Sequence, residues 1–401
     1  MCVSNSSLQW LIDPFSRAEF FQDYWEKRPL VVKRNQPTYF GSLVSLDEVD
    51  RVLTTLDLRY PNVSLKNADR SVTAADYVQD DDSLDVAKVY QLFSEGATIV
   101  LSYLDNIVPP LTLFCRSLER EFSFPFQTNV YVTPAGAKGF KTHYDTHDVF
   151  VLQVAGSKQW TLYGTPVELP LTAQSFDSTV HERGEPTLEF ELQAGDLAYI
   201  PRGVVHDARS GDAVSLHVTV GVLTYTWLDL LLEWVADAAL NDSAFRKSLP
   251  PGFAAPEFDR TQARAILQSL LQRLSTKSDY EVVLERFADE FLAACPPVLT
   301  GQMAQLSRLD ELTVNSMVKA RRGVVYRLQA DHTSTVIDCY GRRITFPAYA
   351  GEAVRFALSQ SEFVVHQLPG DWDDESKLVL VRRLIREGLL VALPAGDGRV
   401  A

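Results

Sequence analysis

The sequence contains few cysteines, and none of them forms a ligand or disulfide pattern. Its 401 residues include four, spread far apart at Cys2, Cys115, Cys295 and Cys339. Because there is no C-x-x-C pair and no dense, even spacing, a zinc ribbon, a dithiol redox site and a disulfide framework are excluded. Isolated thiols are typical of a reducing compartment, so we expect a cytoplasmic protein.

Long apolar runs and an excess of basic residues are also missing. No stretch approaches the ~18 apolar residues of a membrane-spanning helix, and the first six residues lack the basic and apolar pattern of a secretion signal. Lys and Arg number 38 against 52 Asp and Glu, a net charge of -14 that gives no general attraction for nucleic acid. A hydrophobic content of 46% excludes a disordered chain, and this length predicts two or three domains.

Changes in pattern predict an α+β chain of three parts. Residues 1–225 begin with mixed helices and strands and continue, from about residue 128, as short strands separated by turn signals. That arrangement is typical of a jelly-roll or cupin-like double-stranded β-helix. We expect segments 148–154 and 158–163 to pair as a hairpin across the turn at Gly156.

The remaining two parts read differently. Residues 226–300 are helical, with wide apolar faces that either pack within one subunit or form a dimer interface. Residues 301–401 mix helices and strands in an order that fits a winged-helix-like unit. This last part holds 13 Lys and Arg against 12 Asp and Glu, a net of +1. Since a DNA-binding domain is normally clearly basic, we expect no direct DNA binding.

The main chemical motif is an H-x-D pair followed by a distant histidine. If residues 143–145 form a strand, His143 and Asp145 point to the same face. His206 follows the tight turn at residues 201–203. Two imidazoles and one carboxylate on a rigid sheet form the facial triad that holds Fe(II) and leaves three positions open. The alternative is a polar strand edge with an unrelated core histidine, because an isolated H-x-D occurs by chance.

Two polar features in neighbouring strands favour a pocket. Lys158 shares a strand face with Trp160 and Leu162, and an ammonium on an apolar face is costly unless it meets an anion. The alternative is a lysine at the strand mouth that reaches solvent. Asn129 and Tyr131 lie on one polar face of another strand, fit either to line a pocket or to face solvent.

The chain resembles the bacterial cupin-type JmjC oxygenases, the ribosomal-oxygenase-like protein hydroxylases. The resemblance lies in a set of motifs that cover most of residues 20–253. They are F-F-x-x-Y-W-E-K-R-P-L at 20–30, N-V-Y-V-T-P at 129–134, H-Y-D-x-H-D-V-F-V-L-Q at 143–153, G-S-K-Q-W-x-L-Y at 156–163, G-D-L-A-Y-I-P-R-G-x-x-H at 195–206, S-L-H-V-T-V at 215–220 and R-K-S-L-P-P-G-F at 246–253.

The resemblance implies an Fe(II)- and 2-oxoglutarate-dependent oxygenase that uses O2. His143, Asp145 and His206 match the iron ligands of the family. Lys158 matches the residue that pairs with the distal carboxylate of 2-oxoglutarate. The same pocket is expected to include Asn129 and Tyr131, together with His217, which lies in a matching motif.

Two histidines keep other assignments open. His217 is the main alternative to His206 as a ligand. His147 shares the parity of His143 and Asp145 and is expected at the pocket rim, whereas Asp148 has the opposite parity and is excluded from the triad.

The family resemblance also favours a homodimer through the helical region.

Four functions remain in competition. The leading one is hydroxylation of a protein or peptide side chain, with an Arg or His of a ribosomal protein as the target that the resemblance favours. Demethylation of N-methyl-lysine starts with the same hydroxylation and cannot be separated by the triad. Tailoring of a biosynthetic peptide or small molecule is a third. A non-enzymatic metal-binding cupin is the fourth, and it leaves Lys158 unexplained.

Overall fold

The computed structural model describes residues 7–394, so Cys2 and the first six residues lie outside it. The N-terminal region contains five helices and three strands: α1 (Ser7–Ile12), α2 (Arg17–Asp23), β1 (Leu30–Val32), α3 (Leu46–Thr55), β2 (Val63–Lys66), α4 (Val86–Ser94), β3 (Thr98–Ser102) and α5 (Pro109–Phe122). Ser45 caps the start of α3, because its hydroxyl accepts a hydrogen bond from the Glu48 N–H.

Seven further strands follow without an intervening α-helix: β4 (Phe126–Thr133), β5 (Asp148–Ala155), β6 (Ser157–Leu162), β7 (Leu188–Gln193), β8 (Leu197–Ile200), β9 (His206–Ser210) and β10 (Ser215–Val222). They complete a seven-stranded sheet of order β1-β8-β5-β10-β4-β3-β2 and a three-stranded sheet of order β7-β6-β9. The two sheets enclose the jelly-roll interior that the turn pattern predicts.

The predicted hairpin of residues 148–154 and 158–163 is wrong. Strand β5 pairs with β8 and β10, whereas β6 pairs with β7 and β9, so the chain crosses from one sheet to the other at Gly156. Gly156 has a φ of +63°, and a Cβ there would lie 2.2 Å from the carbonyl oxygen of Val214. The glycine therefore allows a close backbone approach at a sheet crossing and not a hairpin turn.

Alternate residues of β5 belong to two different cores. Phe150 and Leu152 face outward into the large cluster that joins the seven-stranded sheet to the N-terminal helices. Val149 and Val151 face inward, where they pack with Trp160 of β6. A strand buried on both faces reads as a continuous apolar run, which matches its sequence.

The C-terminal part begins with three helices: α6 (Trp227–Asn241), α7 (Arg260–Lys277) and α8 (Tyr280–Ala294). The final segment contains α9 (Gln302–Ser307), β11 (Met317–Ala320), β12 (Tyr326–Ala330), β13 (Ser334–Cys339), β14 (Arg342–Pro347), α10 (Gly351–Ser359), β15 (Phe363–Val364), α11 (Asp374–Arg386) and β16 (Leu390–Ala392). Its strands form two three-stranded sheets, β15-β11-β16 and β12-β13-β14, around a separate hydrophobic core. Within residues 7–394, no helix is long and apolar enough to cross a membrane.

Candidate active site

The structure brings His143, Asp145 and His206 together at the open end of the barrel. The Nε2 atom of His143 lies 3.8 Å from Asp145 Oδ1, and the Nε2 atom of His206 lies 3.7 Å from Asp145 Oδ2. One donor atom from each of the three residues falls within 4.8 Å of the others. This spacing lets two imidazole nitrogens and one carboxylate oxygen bind the same metal ion.

Backbone hydrogen bonds fix both imidazoles with Nε2 free. His143 and His206 exchange N–H···O bonds of 3.1 and 2.7 Å, which hold their side chains next to each other. The Nδ1 atoms lie 2.8 Å from the carbonyl oxygen of Lys141 and 2.9 Å from that of Val204. Because a carbonyl can only accept, each Nδ1 carries the proton and each Nε2 lone pair is available to a metal.

The segment that carries the first two ligands is a loop and not the expected strand. Within it His143 forms a single bridge with His206, and the regular strand β5 starts only at Asp148. The convergence of His143 and Asp145 therefore depends on anchors such as the 3.0 Å hydrogen bond from the Gly203 N–H to the Asp145 carbonyl. Tyr144 lies outside the cavity wall and donates its hydroxyl to the Gln174 carbonyl.

The electrostatics of the triad favour the forms that bind metal. Burial lowers the pKa of His206, and the nearby His143 lowers it further. Burial alone would raise the pKa of Asp145, but His206, His143 and His147 outweigh that effect and lower it, so the carboxylate is ionised. Neutral imidazole and charged carboxylate are the states that coordinate a divalent cation.

Lys158 lies deep in the barrel and has no carboxylate partner within residues 7–394. Its side chain is 5% exposed, and its Nζ atom lies 3.2 Å from Nδ1 of His217. Burial lowers the pKa of this lysine to about 7 and, with the nearby Lys158, lowers the pKa of His217 well below its ordinary range. A buried ammonium next to a neutral imidazole is suited to receive an anion.

A cavity of about 60 Å³ connects the triad with Lys158. Tyr131 and His217 belong to its wall, where their rings stack with centroids 4.6 Å apart. Asn129 lies on the same face of β4 as Tyr131, opposite Thr219 of β10, but outside the cavity wall. The predicted pocket residues thus share one end of the barrel, with Asn129 one step further along the strand.

Sequence reasoning missed several residues of the cavity wall, chiefly Phe140 and the indole of Trp160. The Nε1 atom of Trp160 is buried without a hydrogen-bond partner among the described residues. The signal was present in the spacing, because Trp160 follows Lys158 by two residues and shares its face. Nothing in the sequence around Phe140, which lies in an irregular loop, indicated a pocket residue.

The two other histidines near the site occupy different positions. His217 hydrogen-bonds Lys158 and lies outside the cluster of potential metal ligands found in residues 7–394. His147 packs against Gly221 of β10, where an added Cβ would lie 2.8 Å from its Nε2 atom. The geometry therefore groups His206, and not His217, with His143 and Asp145.

The donor set fits a ferrous ion with a small dicarboxylate beside it. Three N and O ligands on one side leave the cavity side of a metal open, which is the arrangement of non-haem iron oxygenases. The buried Lys158 ammonium, with the unpaired indole N–H of Trp160, offers donors to the far carboxylate of such a molecule.

Comparison with known proteins gives relatives over most of the chain. Residues 109–230 match the JmjC domain family. The chain is 31% identical to ribosomal oxygenase 1 of Danio rerio, an alignment covering 96% of this chain and 79% of that protein. It is 33% identical to ribosomal oxygenase 1 of Gallus gallus, with 75% of this chain and 53% of that protein covered.

A third relative has a compound name. The chain is 30% identical to the bifunctional lysine-specific demethylase and histidyl-hydroxylase NO66 of Culex quinquefasciatus, covering 75% of this chain and 49% of that protein. Apart from the Danio rerio protein, the chain spans about half the length of these relatives.

Solved structures show the same fold. The ribosomal oxygenase YcfD of Escherichia coli, in complex with cobalt and succinic acid, superimposes with a TM-score of 0.55 at 17% identity, covering 95% of this chain and 99% of that one. A second YcfD structure, in complex with cobalt and 2-oxoglutarate, gives a TM-score of 0.53 at 17% identity, with the same coverage.

Proposed function

The chain belongs to the ribosomal oxygenase family of JmjC proteins, and from that membership we propose that it is an Fe(II)- and 2-oxoglutarate-dependent oxygenase that hydroxylates a ribosomal protein. The observation that carries the proposal is the pairing of two sites in one cavity. Three residues whose donor atoms could hold one metal ion line the same cavity as the buried Lys158.

Each residue of the site has a part in binding. His143, Asp145 and His206 would hold Fe(II) through two Nε2 atoms and a carboxylate oxygen. Lys158 would pair with the distal carboxylate of 2-oxoglutarate, since a charge-assisted hydrogen bond is strongest in a buried site. The stacked rings of Tyr131 and His217 form the adjacent wall, with Asn129 next to them along β4.

When bound, iron and 2-oxoglutarate supply the activation of O2, in which one oxygen atom enters a substrate C–H bond while 2-oxoglutarate becomes succinate and CO2. The protein would position the metal and the co-substrate and exclude water from the cavity. Lys158 and the triad fix the two ends of the cavity, and Val149, Val151 and Trp160 make its wall apolar.

A ribosomal substrate is supported by the names of the relatives and by charge. The proteins of Danio rerio and Gallus gallus are called ribosomal oxygenases. The net charge of -14 would speed the encounter with a strongly basic ribosomal protein. The target side chain is an Arg or a His, and a ribosomal target places the reaction in the cytoplasm.

A second activity, demethylation of N-methyl-lysine, is favoured by the compound name of the NO66 relative. Both activities begin by hydroxylation of a C–H bond, so the same cavity serves them. They differ in product. Hydroxylation leaves one additional oxygen atom on the protein, whereas demethylation releases formaldehyde and removes a methyl group.

Turnover tests the proposal. Purified chain with Fe(II), ascorbate, 2-oxoglutarate and isolated ribosomal proteins is expected to release succinate and to add one oxygen atom to one ribosomal protein, measured by mass spectrometry. His143→Ala is expected to abolish both, whereas His332→Ala, an exposed histidine on the C-terminal segment, is the matched control and retains them. Folded wild-type chain that neither binds 2-oxoglutarate nor releases succinate would contradict the proposal.

The division into three parts is also proposed. Residues 1–225 form the oxygenase domain, 226–300 a dimerisation region and 301–401 a winged-helix-like domain that does not bind DNA. Helix α7 supports a homodimer, because Leu274 alone is buried among its 18 residues. A helix gains most of its stability from packing of an apolar face, and a second copy of the same helix, related by twofold symmetry, supplies that packing most simply.

A further inference from the structure

Four residues form a closed hydrogen-bonded ring next to the candidate active site, through four side chains and the backbone N–H of Glu26. The Arg202 guanidinium donates to Asp148 Oδ2 at 2.5 Å and lies 2.7 Å from Glu26 Oε1. The Tyr199 hydroxyl donates to Asp148 Oδ1 at 2.7 Å and accepts from the Glu26 N–H at 2.9 Å. The four residues connect the segment after α2, the start of β5 and the turn after β8.

Three of the four residues are buried, the Glu26 side chain is partly exposed, and the ring lies outside the cavity. Asp148 is fully buried and Arg202 is 7% exposed, and none of the four residues belongs to the cavity wall. Tyr199 packs with Phe150 on the outer face of the seven-stranded sheet, at a centroid distance of 5.1 Å. The ring therefore contacts neither the proposed metal site nor the proposed co-substrate site, and its effect on them passes through the backbone.

The backbone links the ring directly to all three ligands. Asp148 follows Asp145 by three residues, and Arg202 precedes His206 by four. The intervening Gly203 donates its N–H to the Asp145 carbonyl at 3.0 Å, and His206 exchanges two backbone hydrogen bonds with His143. Movement of the turn at residues 201–203 relative to β5 would therefore shift the ligands against one another.

The chemistry of the ring is better suited to fixing the position of backbone segments than to stabilising the fold. A buried ion pair seldom stabilises a fold more than apolar side chains of the same volume. One planar guanidinium here bridges two carboxylates from separate segments, a fork geometry that an ammonium cannot reproduce. Because the ligand segment is a loop and not a strand, its geometry depends on such anchors.

We propose that the Glu26–Asp148–Tyr199–Arg202 ring positions His143, Asp145 and His206 for metal binding by fixing the turn before His206 against the strand after Asp145. The four are positioning residues for the oxygenase reaction. The inference rests on the proposed function, since it takes the triad as the metal site.

The test compares two Arg→Lys substitutions in buried ion pairs. Arg202→Lys is expected to weaken binding of cobalt(II) ion about tenfold, the size typical of changes to groups that orient metal ligands, and to alter the visible spectrum of the bound ion. Arg116→Lys changes the buried pair of Arg116 with Glu119, which has no link to the ligands, and is expected to leave cobalt affinity unchanged. Cobalt affinity is measured by calorimetry and folding by thermal unfolding.

Glu26→Gln covers the case in which Arg202→Lys does not fold. Glu26 has a half-exposed side chain, and its variant is expected to fold and to bind cobalt a few-fold more weakly. Folded Arg202→Lys or Glu26→Gln with wild-type cobalt affinity and spectrum would overturn the inference, and so would an equal loss in Arg116→Lys. Wild-type chain that binds no cobalt would overturn the proposed function and this inference with it.

Discussion

At the residue scale, we expect binding of the co-substrate to depend most on Lys158. Lys158→Met removes the charge and keeps the length, so we expect 2-oxoglutarate to bind ~10- to 100-fold more weakly, the loss of a hydrogen bond to a charged group. Metal affinity is expected to stay the same, because Lys158 is not a ligand. Calorimetry with manganese-loaded protein measures both without turnover.

The control for this substitution is Lys141→Met, an exposed lysine near His143. It is expected to bind 2-oxoglutarate like the wild type. Unchanged 2-oxoglutarate affinity in Lys158→Met would show that the distal carboxylate binds elsewhere.

The pKa of Lys158 leads to a pH dependence. Burial lowers this pKa to about 7, so above that pH the free protein holds a neutral amine beside His217. Under the proposed pairing of the distal carboxylate with the ammonium, binding of 2-oxoglutarate takes up a proton, and its affinity is expected to fall about tenfold per pH unit above ~7. Calorimetry in buffers of different ionisation enthalpy should show uptake near one proton at about pH 8.5 and near none at about pH 6.

Lys158→Arg tests the cause of that pH dependence. The guanidinium stays charged at both pH values, so proton uptake is expected to disappear in the variant. Wild-type protein with no proton uptake at the higher pH would mean that Lys158 is already charged in the free protein.

At the residue scale, the sequence indicated which kinds of side chain form the candidate site. It did not indicate which of them lie close together in the fold. The H-x-D pair, the later histidine and a lysine on an apolar strand face suggested a metal site and an anion from residue types, and the family resemblance was needed to name Fe(II) and 2-oxoglutarate. Whether His206 or His217 joins His143 depends on the backbone exchange between His143 and His206. That contact joins positions 63 residues apart, and no local pattern encodes it.

At the element scale, the crossing between the two barrel sheets depends on Gly156. Gly156→Ala places a Cβ 2.2 Å from the Val214 carbonyl oxygen, at a φ of +63°. Gly136→Ala is the matched control, because Gly136 has a φ of +66° and open space around it. The control loses only the ~1–2 kcal/mol of a left-handed residue.

We expect Gly156→Ala to unfold several degrees below Gly136→Ala in thermal unfolding, because the backbone contact adds strain to the same φ penalty. Equal unfolding temperatures of the two variants would mean that the backbone at the crossing relieves the contact without loss of stability.

The wrong hairpin prediction has its cause at this same crossing. Two apolar segments separated by a short glycine-containing stretch are typical of a hairpin. Strand β5 is apolar on both faces, so its partners β8 and β10 are set by burial on the inside and outside of the barrel. Which strands pair in a two-sheet barrel depends on tertiary packing, and a local turn motif does not specify it.

At the scale of the whole molecule, the exposed apolar face of α7 predicts a dimer. Leu267 and Leu271 are each 57% exposed in the single chain. We expect wild-type protein to be a dimer by light scattering after size-exclusion chromatography. Leu267→Glu with Leu271→Glu is expected to be monomeric, because it would bury two charges in the interface.

Gln268→Glu adds one charge at an exposed polar position of the same helix and is expected to remain dimeric. A monomeric wild type, or a dimeric double variant, would contradict the proposed interface.

The jelly-roll core could be predicted from the sequence because short strands and turns recur through residues 128–222. The final segment was harder. One of its two three-stranded sheets joins strands as distant in sequence as β11 and β16. The pattern of separate short elements does not specify which strands pair with each other.

The most direct test of the central claim is an anaerobic titration of Fe(II)-loaded protein with 2-oxoglutarate. Chelation of iron by the keto and carboxylate oxygens produces a weak visible charge-transfer band. We expect the band to saturate with one 2-oxoglutarate per chain in wild-type protein and to be absent in Asp145→Ala. A folded wild type that binds Fe(II) and 2-oxoglutarate without the band, or an Asp145→Ala variant that retains it, would contradict the assignment of His143, Asp145 and His206 as the iron site.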